Sequence, residues 1–193
     1  MASYRLALVP LLVILTTPIG AFGQTRGNPA ELAAAQFEAM AKLGFMDGMW
    51  RGTAWTLRPS GERRTLTQTE RAGPLLSGSV KVIEGRGYEA DGRMGFNAFA
   101  VISFDPGKGS YSMRSYAQGN VGDFVLMPTA DGYMWEIAAG PATIRYTAVV
   151  KNGEWHEFGE RVVTGKEPVR FFEMNLVRLG DTEWPAAGAG RSK

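Results

Sequence analysis

Five turn-forming dipeptides, Ser60-Gly61, Asp91-Gly92, Pro106-Gly107, Asp131-Gly132 and Asn152-Gly153, punctuate runs that are short and rich in Val, Ile, Thr and aromatic residues. Connections of two to five residues join antiparallel neighbours, because they are too short for the crossover that a parallel pair needs. From Met49 onward the chain therefore reads as an all-β, up-and-down meander of about ten strands. They are expected near 49–58, 63–72, 76–88, 95–104, 110–117, 122–128, 132–138, 142–151, 154–163 and 168–179. An even meander leaves two bare edges unless the sheet closes on itself, so an antiparallel barrel is expected. Alternation agrees: Phe96, Ala98, Ala100, Ile102 and Phe104 share one face of the fourth strand, and Tyr133, Trp135 and Ile137 one face of the seventh.

One helix precedes the strands. Asn28-Pro29-Ala30-Glu31 supplies a capping side chain, a proline at the first helical position and a glutamate in the first turn. The helix is expected over 29–43, with Leu32, Phe37, Met40 and Leu43 on a face that packs against the barrel and Gly44 as its stop. Further upstream, Arg5 followed by the apolar stretch Leu6 to Thr17 and then Pro18-Ile19-Gly20-Ala21-Phe22-Gly23 reads as a secretory signal peptide over 1–23. The stretch is shorter than the ~20 apolar residues of a membrane span and is broken by Pro10. The domain plan is thus signal peptide 1–23, a helical segment 24–48, a barrel 49–185 and a tail 186–193, with a periplasmic or secreted location and no stable membrane insertion.

Composition removes several classes of chemistry. With no cysteine in the chain, thiol catalysis, thiolate metal sites, disulfides and lipoprotein anchoring are excluded. The full chain has 21 Lys and Arg against 19 Asp and Glu; losing residues 1–23 removes Arg5 alone, leaving 20 against 19. A nearly neutral domain without a basic run is a poor nucleic-acid binder. A Gly-x-Ser-x-Gly elbow and a phosphate-binding glycine loop before a helix are both missing from the sequence.

The sequence also carries a resemblance. Gly48-Met49-Trp50 opens the first strand and Arg178 ends the last, a pairing similar to the signature of the calycin superfamily, which includes lipocalins and fatty-acid-binding proteins. A longer pattern runs from Leu75 to Glu84, through Phe96-Asn97-Ala98, Ile102-Ser103-Phe104-Asp105-Pro106, Tyr111-Ser112-Met113-Arg114-Ser115-Tyr116 and Trp135-Glu136-Ile137, to Phe172-Glu173-Met174 and Trp184-Pro185. It resembles an exported bacterial family catalogued as domain of unknown function 1579. The resemblance spans about Phe45 to Pro185 and implies a calycin-like barrel, with no activity attached. In such a barrel Trp50 and Arg178 are expected to meet at the closing strands, in a structural cation–π contact.

Site candidates follow from side-chain chemistry. Ser112, Arg114 and Tyr116 share one strand face, and a guanidinium beside a phenol can grip a carboxylate, as the Arg-x-Tyr arrangement of fatty-acid-binding proteins does. If that face is internal, these three, with Trp135, Glu136 and Arg145, line a lumen suited to a small amphipathic or apolar molecule; if it is external, they form an outward-facing polar face. Glu84, Glu136, Arg145, Glu160 and Glu173 also sit within apolar strands, where an inward charge needs a partner, as Arg145 with Glu136. His156, the single histidine, is a haem-ligand candidate by analogy with nitrobindin-like barrels, and a general-base candidate. Lacking a second ligand at metal-binding spacing, it reads as an ordinary hydrogen-bonded residue. No catalytic residue, metal or cofactor is assigned. Three functions stay open: a small-molecule binding barrel, an acid–base enzyme using carboxylates such as Glu84 and Glu136 or His156, and an interaction domain without a ligand.

Overall fold

The structure, a computed structural model, describes residues 28–182 and 184. The signal-peptide and C-terminal-tail assignments lie outside those residues. Ten antiparallel strands close into one barrel in the order of the chain: β1 (Gly48–Leu57), β2 (Arg63–Leu75), β3 (Val80–Tyr88), β4 (Met94–Asp105), β5 (Ser110–Ala117), β6 (Asn120–Pro128), β7 (Gly132–Ala139), β8 (Ala142–Lys151), β9 (Glu154–Val163) and β10 (Val169–Gly180). The expected meander is borne out to within a few residues per strand, with one correction. Residues 76–79 do not extend β3; Leu76–Gly78 forms a 3-10 turn in which Leu76 and Ser77 take positive φ. At the β8–β9 turn, Asn152 and Gly153 have φ of 55° and 76°, the left-handed pair that a tight hairpin matched to strand twist requires.

Closure joins β1 to β10 from Trp50↔Arg178 to Thr56↔Phe172. Gly52 makes this seam feasible: a Cβ there would lie 2.0 Å from the Asn175 carbonyl oxygen and 2.9 Å from the Leu176 Cα. Elsewhere neighbouring strands register over seven or more residues, but β6 and β7 pair at only three, Leu126↔Trp135, Met127↔Met134 and Pro128↔Tyr133. The wall opens laterally beyond that point.

The helix α1 (Pro29–Ala41) is capped by the Asn28 side chain, which accepts from the Ala30 N–H. It covers one end of the barrel rather than lying along its side. Only its C-terminal end is buried, at Ala39 and Met40, whereas Leu32 and Phe37 are exposed. The helix stops at Ala41; Gly44, the expected stop, instead begins a 3-10 turn, Gly44–Met46, without a positive φ. Leu43 and Met46 are fully buried beside Trp50 and close this end as a plug. The Trp50 indole donates to the Met46 carbonyl at 3.0 Å, and the Tyr111 hydroxyl to that of Ala39 at 2.8 Å. Lys81, buried at the same end, is neutralised by an ion pair with Asp47.

Trp50 and Arg178 are direct cross-strand partners, as expected, but the guanidinium is engaged elsewhere. It donates to the Asp47 carbonyl at 3.1 Å and pairs with Asp181, while the Trp50 ring meets Trp155 edge-on at 5.5 Å. Beyond β10, Trp184 packs over Gly73 on the outside of β2, and the Arg71 guanidinium stacks on it at 3.9 Å.

Candidate functional site

Side chains pack one end of the barrel and leave the rest hollow. A cavity of about 660 Å³ opens opposite the α1 plug. Alternation along every strand decides what faces it. From β4 come Phe96, Ala98 and Ala100, and from β7 Tyr133, Trp135 and Ile137, as the sequence pattern predicts. Small residues on β4 leave the space, and aromatic rings on the facing strands give it flat apolar walls. Trp135 stacks on Tyr146 with ring centres 4.3 Å apart and planes 6° from parallel.

The same alternation overturns most of the polar site expected from the sequence. On β5 it is Met113, Ser115 and Ala117 that line the cavity, so Ser112, Arg114 and Tyr116 lie outside. There Arg114 donates to the Tyr116 hydroxyl at 2.9 Å and pairs with Asp123 at 2.7 Å, both partners well solvated. Glu136 and Arg145 form the expected pair, at 2.7 Å, but on the outer wall. Glu84, Glu160 and Glu173 are likewise external, matched with Arg71 and Arg86, with Arg170, and with His156. His156 alternates with cavity-lining Trp155 and Glu157, so it points away from the lumen and meets Glu173 at 3.0 Å. That hydrogen bond is the main cause holding the Glu173 carboxyl below its ordinary range. A lumen haem held by His156 has no geometric route. Of the proposed ligand contacts, Trp135 alone lies in the cavity. Replacing Arg114 with Ala is therefore expected to leave lumen affinity for a bound dye within about twofold, by equilibrium titration.

The lumen's polar groups are ones that the sequence reading passed over. Gln68 and Glu70 of β2 and Glu157 of β9 face inward beside Tyr133. Gln68 Nε2 donates to Glu70 Oε1 at 2.7 Å, and the Tyr133 hydroxyl to Glu157 Oε2 at 2.7 Å. Glycines opposite create the room: a Cβ on Gly85 would lie 2.6 Å from Glu70 Oε1, and one on Gly87 2.9 Å from Gln68 Oε1. The signal was present as period two. Leu66, Gln68, Glu70 and Ala72 share one strand face, as do Trp155, Glu157 and Gly159, and the apolar members mark that face as internal.

Burial controls the charge state of this cluster. Desolvation pushes Glu70 up to about 8; Gln68 opposes the shift and the neighbouring Glu157 and Glu84 add to it. Glu70 is half-buried and faces a cavity wide enough for water, which tempers the penalty without reversing it. Burial also raises Glu157, against the pull of Tyr133, Trp135 and Trp155, and drives the Tyr133 phenol well above its ordinary range. The Trp155 indole N–H lies near Glu157 but forms no complete hydrogen bond among the described residues. Arg64 is the one basic side chain on the described lumen wall; it sits near the mouth, bound to Glu89 and the Gly95 carbonyl. The acidic pair therefore has no internal counter-charge among the described residues.

No family model and no curated protein matches the chain, so the likeness to domain of unknown function 1579 rests on its motifs. Among solved structures, the chain is similar to Rv2717c from M. tuberculosis at 11% identity and a TM-score of 0.56, covering 73% of this chain and 97% of that one. A second similarity is to the S-type phycobiliprotein lyase CPES from Guillardia theta, at 9% identity and a TM-score of 0.48, over 78% and 98% of the two chains. The first likeness shows a shared calycin-like barrel fold.

Proposed function

We propose that the protein is a binding barrel whose lumen holds one small, largely apolar molecule. The carrying observation is the cavity of about 660 Å³, closed at the α1 end and open at the other. Its size falls within the few hundred to about a thousand Å³ of small-molecule sites. An apolar wall with a few convergent polar groups is the usual chemistry of such sites, here aromatic rings with Gln68, Glu70, Glu157 and Tyr133. The short β6–β7 ladder widens the entry. The apolar N-terminal stretch after Arg5 supports a role outside the cytoplasm, in a periplasm or medium.

A neutral solvatochromic dye such as Nile red tests this reading. The wild-type protein is expected to bind it with a blue-shifted, saturable signal. Ala98→Trp, which projects an indole into the open lumen, is expected to weaken binding at least about tenfold while leaving the barrel folded. Absence of saturable binding, or unchanged affinity in A98W, would sink the lumen as the site.

A second reading, acid–base chemistry on the bound molecule, is favoured by one observation: Glu70 and Glu157 are two interacting carboxylates with raised pKa in one cavity. It replaces the external Glu84, Glu136 and His156 as the enzymatic candidates.

A further inference from the structure

We infer that the closed-off part of the lumen is a subsite for a protonated amine, so that the molecule carried is an apolar one bearing a cationic nitrogen, held by Glu70 and Glu157. This rests on the lumen being the binding site and specifies its ligand.

Three observations converge. First, the two carboxylates face the same cavity without a basic partner among the described residues. The nearest lumen cation, Arg64, is held at the rim by Glu89, and Lys81 in the plug region is spent on Asp47. Buried acids without counter-ions are costly and normally paired. An entering ammonium would balance one ionised carboxylate of the pair while the other keeps its proton and donates a hydrogen bond. Second, the hydrogen bonding of the cluster is incomplete: the indole N–H of Trp155, itself 2% exposed, has no acceptor in full geometry. Ionisation of Glu157 beside a ligand cation would strengthen the acceptor that this N–H and the Tyr133 hydroxyl already surround. Third, the walls above the acids are ring faces and edges, Trp135 on Tyr146 and Phe124 tilted against Trp135 at 4.9 Å. Such walls attract a desolvated cation as well as an apolar body.

The arrangement disfavours the opposite head group. A carboxylate would meet two acids, and its guanidinium–phenol partner, Arg114 with Tyr116, lies on the far side of the wall. The other titratable groups facing the acids are Tyr133 on β7 and Tyr146 on β8. Burial, aided by Glu157, pushes both phenols up, Tyr146 to about 12, so neither supplies charge near neutrality.

Three probes with one tail and different heads, decylamine, decan-1-ol and decanoate, separate the possibilities by calorimetry or dye displacement at neutral pH. Decylamine is expected to bind at least about tenfold more tightly than decanol, with decanoate weakest. In the double variant E70Q/E157Q the amine-to-alcohol ratio is expected to fall to within about threefold. Both substitutions keep side-chain volume and remove the ability to ionise beside the amine, and the wild-type ranking decides the matter even if the variant does not fold. Decanol binding as tightly as decylamine, decanoate binding most tightly, or a ratio that survives in the variant overturns the amine subsite and leaves the binding barrel standing. Failure of all three probes, together with the neutral dye, overturns both.

Discussion

Raising the pH from 5 to 8 is expected to make the folded barrel less stable, the reverse of the behaviour that surface carboxylates give. Glu70 has its folded pKa raised from 4.5 to about 8 by burial, so across that window the native state binds a proton that the unfolded chain has released. Stability falls with rising pH wherever the native state holds more protons, and the loss levels off above the folded pKa. At about 1.4 kcal/mol per pH unit for one proton, the three-unit window sets a ceiling of about 4 kcal/mol. Water in the lumen reduces this, and about 2 kcal/mol is the expected loss. Glu157 shifts in the same direction and adds to the slope. Glu84 and Glu173, whose pKa values are lowered, have the opposite sign; their contribution disappears as pH falls through the acid range, below this window. Denaturant unfolding at pH 5, 6.5 and 8 reads the slope, and Glu70→Gln should flatten it and exceed wild type in stability at pH 8. A wild-type stability that rises over this range, or an E70Q slope equal to wild type, would remove Glu70 as a buried proton store.

Gly52→Ala should open the barrel. The added Cβ would meet the Asn175 carbonyl and the Leu176 Cα, both backbone atoms of β10 that no rotamer change can move aside. The β1–β10 seam joins the first strand to the last and closes the ring, so relief means separating these strands. A loss of about 3 kcal/mol or more is expected, a large share of the roughly 5–15 kcal/mol by which domains are stable. Gly44→Ala is the internal comparison: it has open space at the Cβ position and no positive φ, and should stay within about 0.5 kcal/mol of wild type. Circular dichroism with urea titration of both variants measures the difference. Equal stability of the two would mean that the seam yields more easily than its backbone contacts require.

Ring closure and the lumen acids pull stability in opposite directions. Plug residues Leu43, Met46 and Trp50 and the closing seam hold the ring, whereas the lumen acids work against its stability. A group that costs folding energy and sits in a cavity is better explained by what it binds than by what it supports. The outer-wall pairs, by contrast, complete cross-strand neighbours such as Glu136↔Arg145 and need no ligand.

Turn chemistry and period-two alternation determined the meander, its strand count, and the inward faces of β4 and β7, because these signals are local: a Gly at a tight turn and every second side chain obey rules set within a few residues. Evenness of the strand count carried the closure, since bare edges are costly in any setting. Only the tertiary structure decided which way β5 faces. Ser112, Arg114 and Tyr116 alternate with Met113, Ser115 and Ala117, and neither set is apolar enough to declare itself internal. A one-residue change of register exchanges the two faces, and that register is fixed by partners on β4 and β6. The same long-range pairing brings Glu70 of β2 and Glu157 of β9 to one cavity, with β1 and β10 between them on one side of the ring. Their separation of 87 positions in the chain left no local trace; closure of the barrel made them neighbours and burial raised the pKa of both.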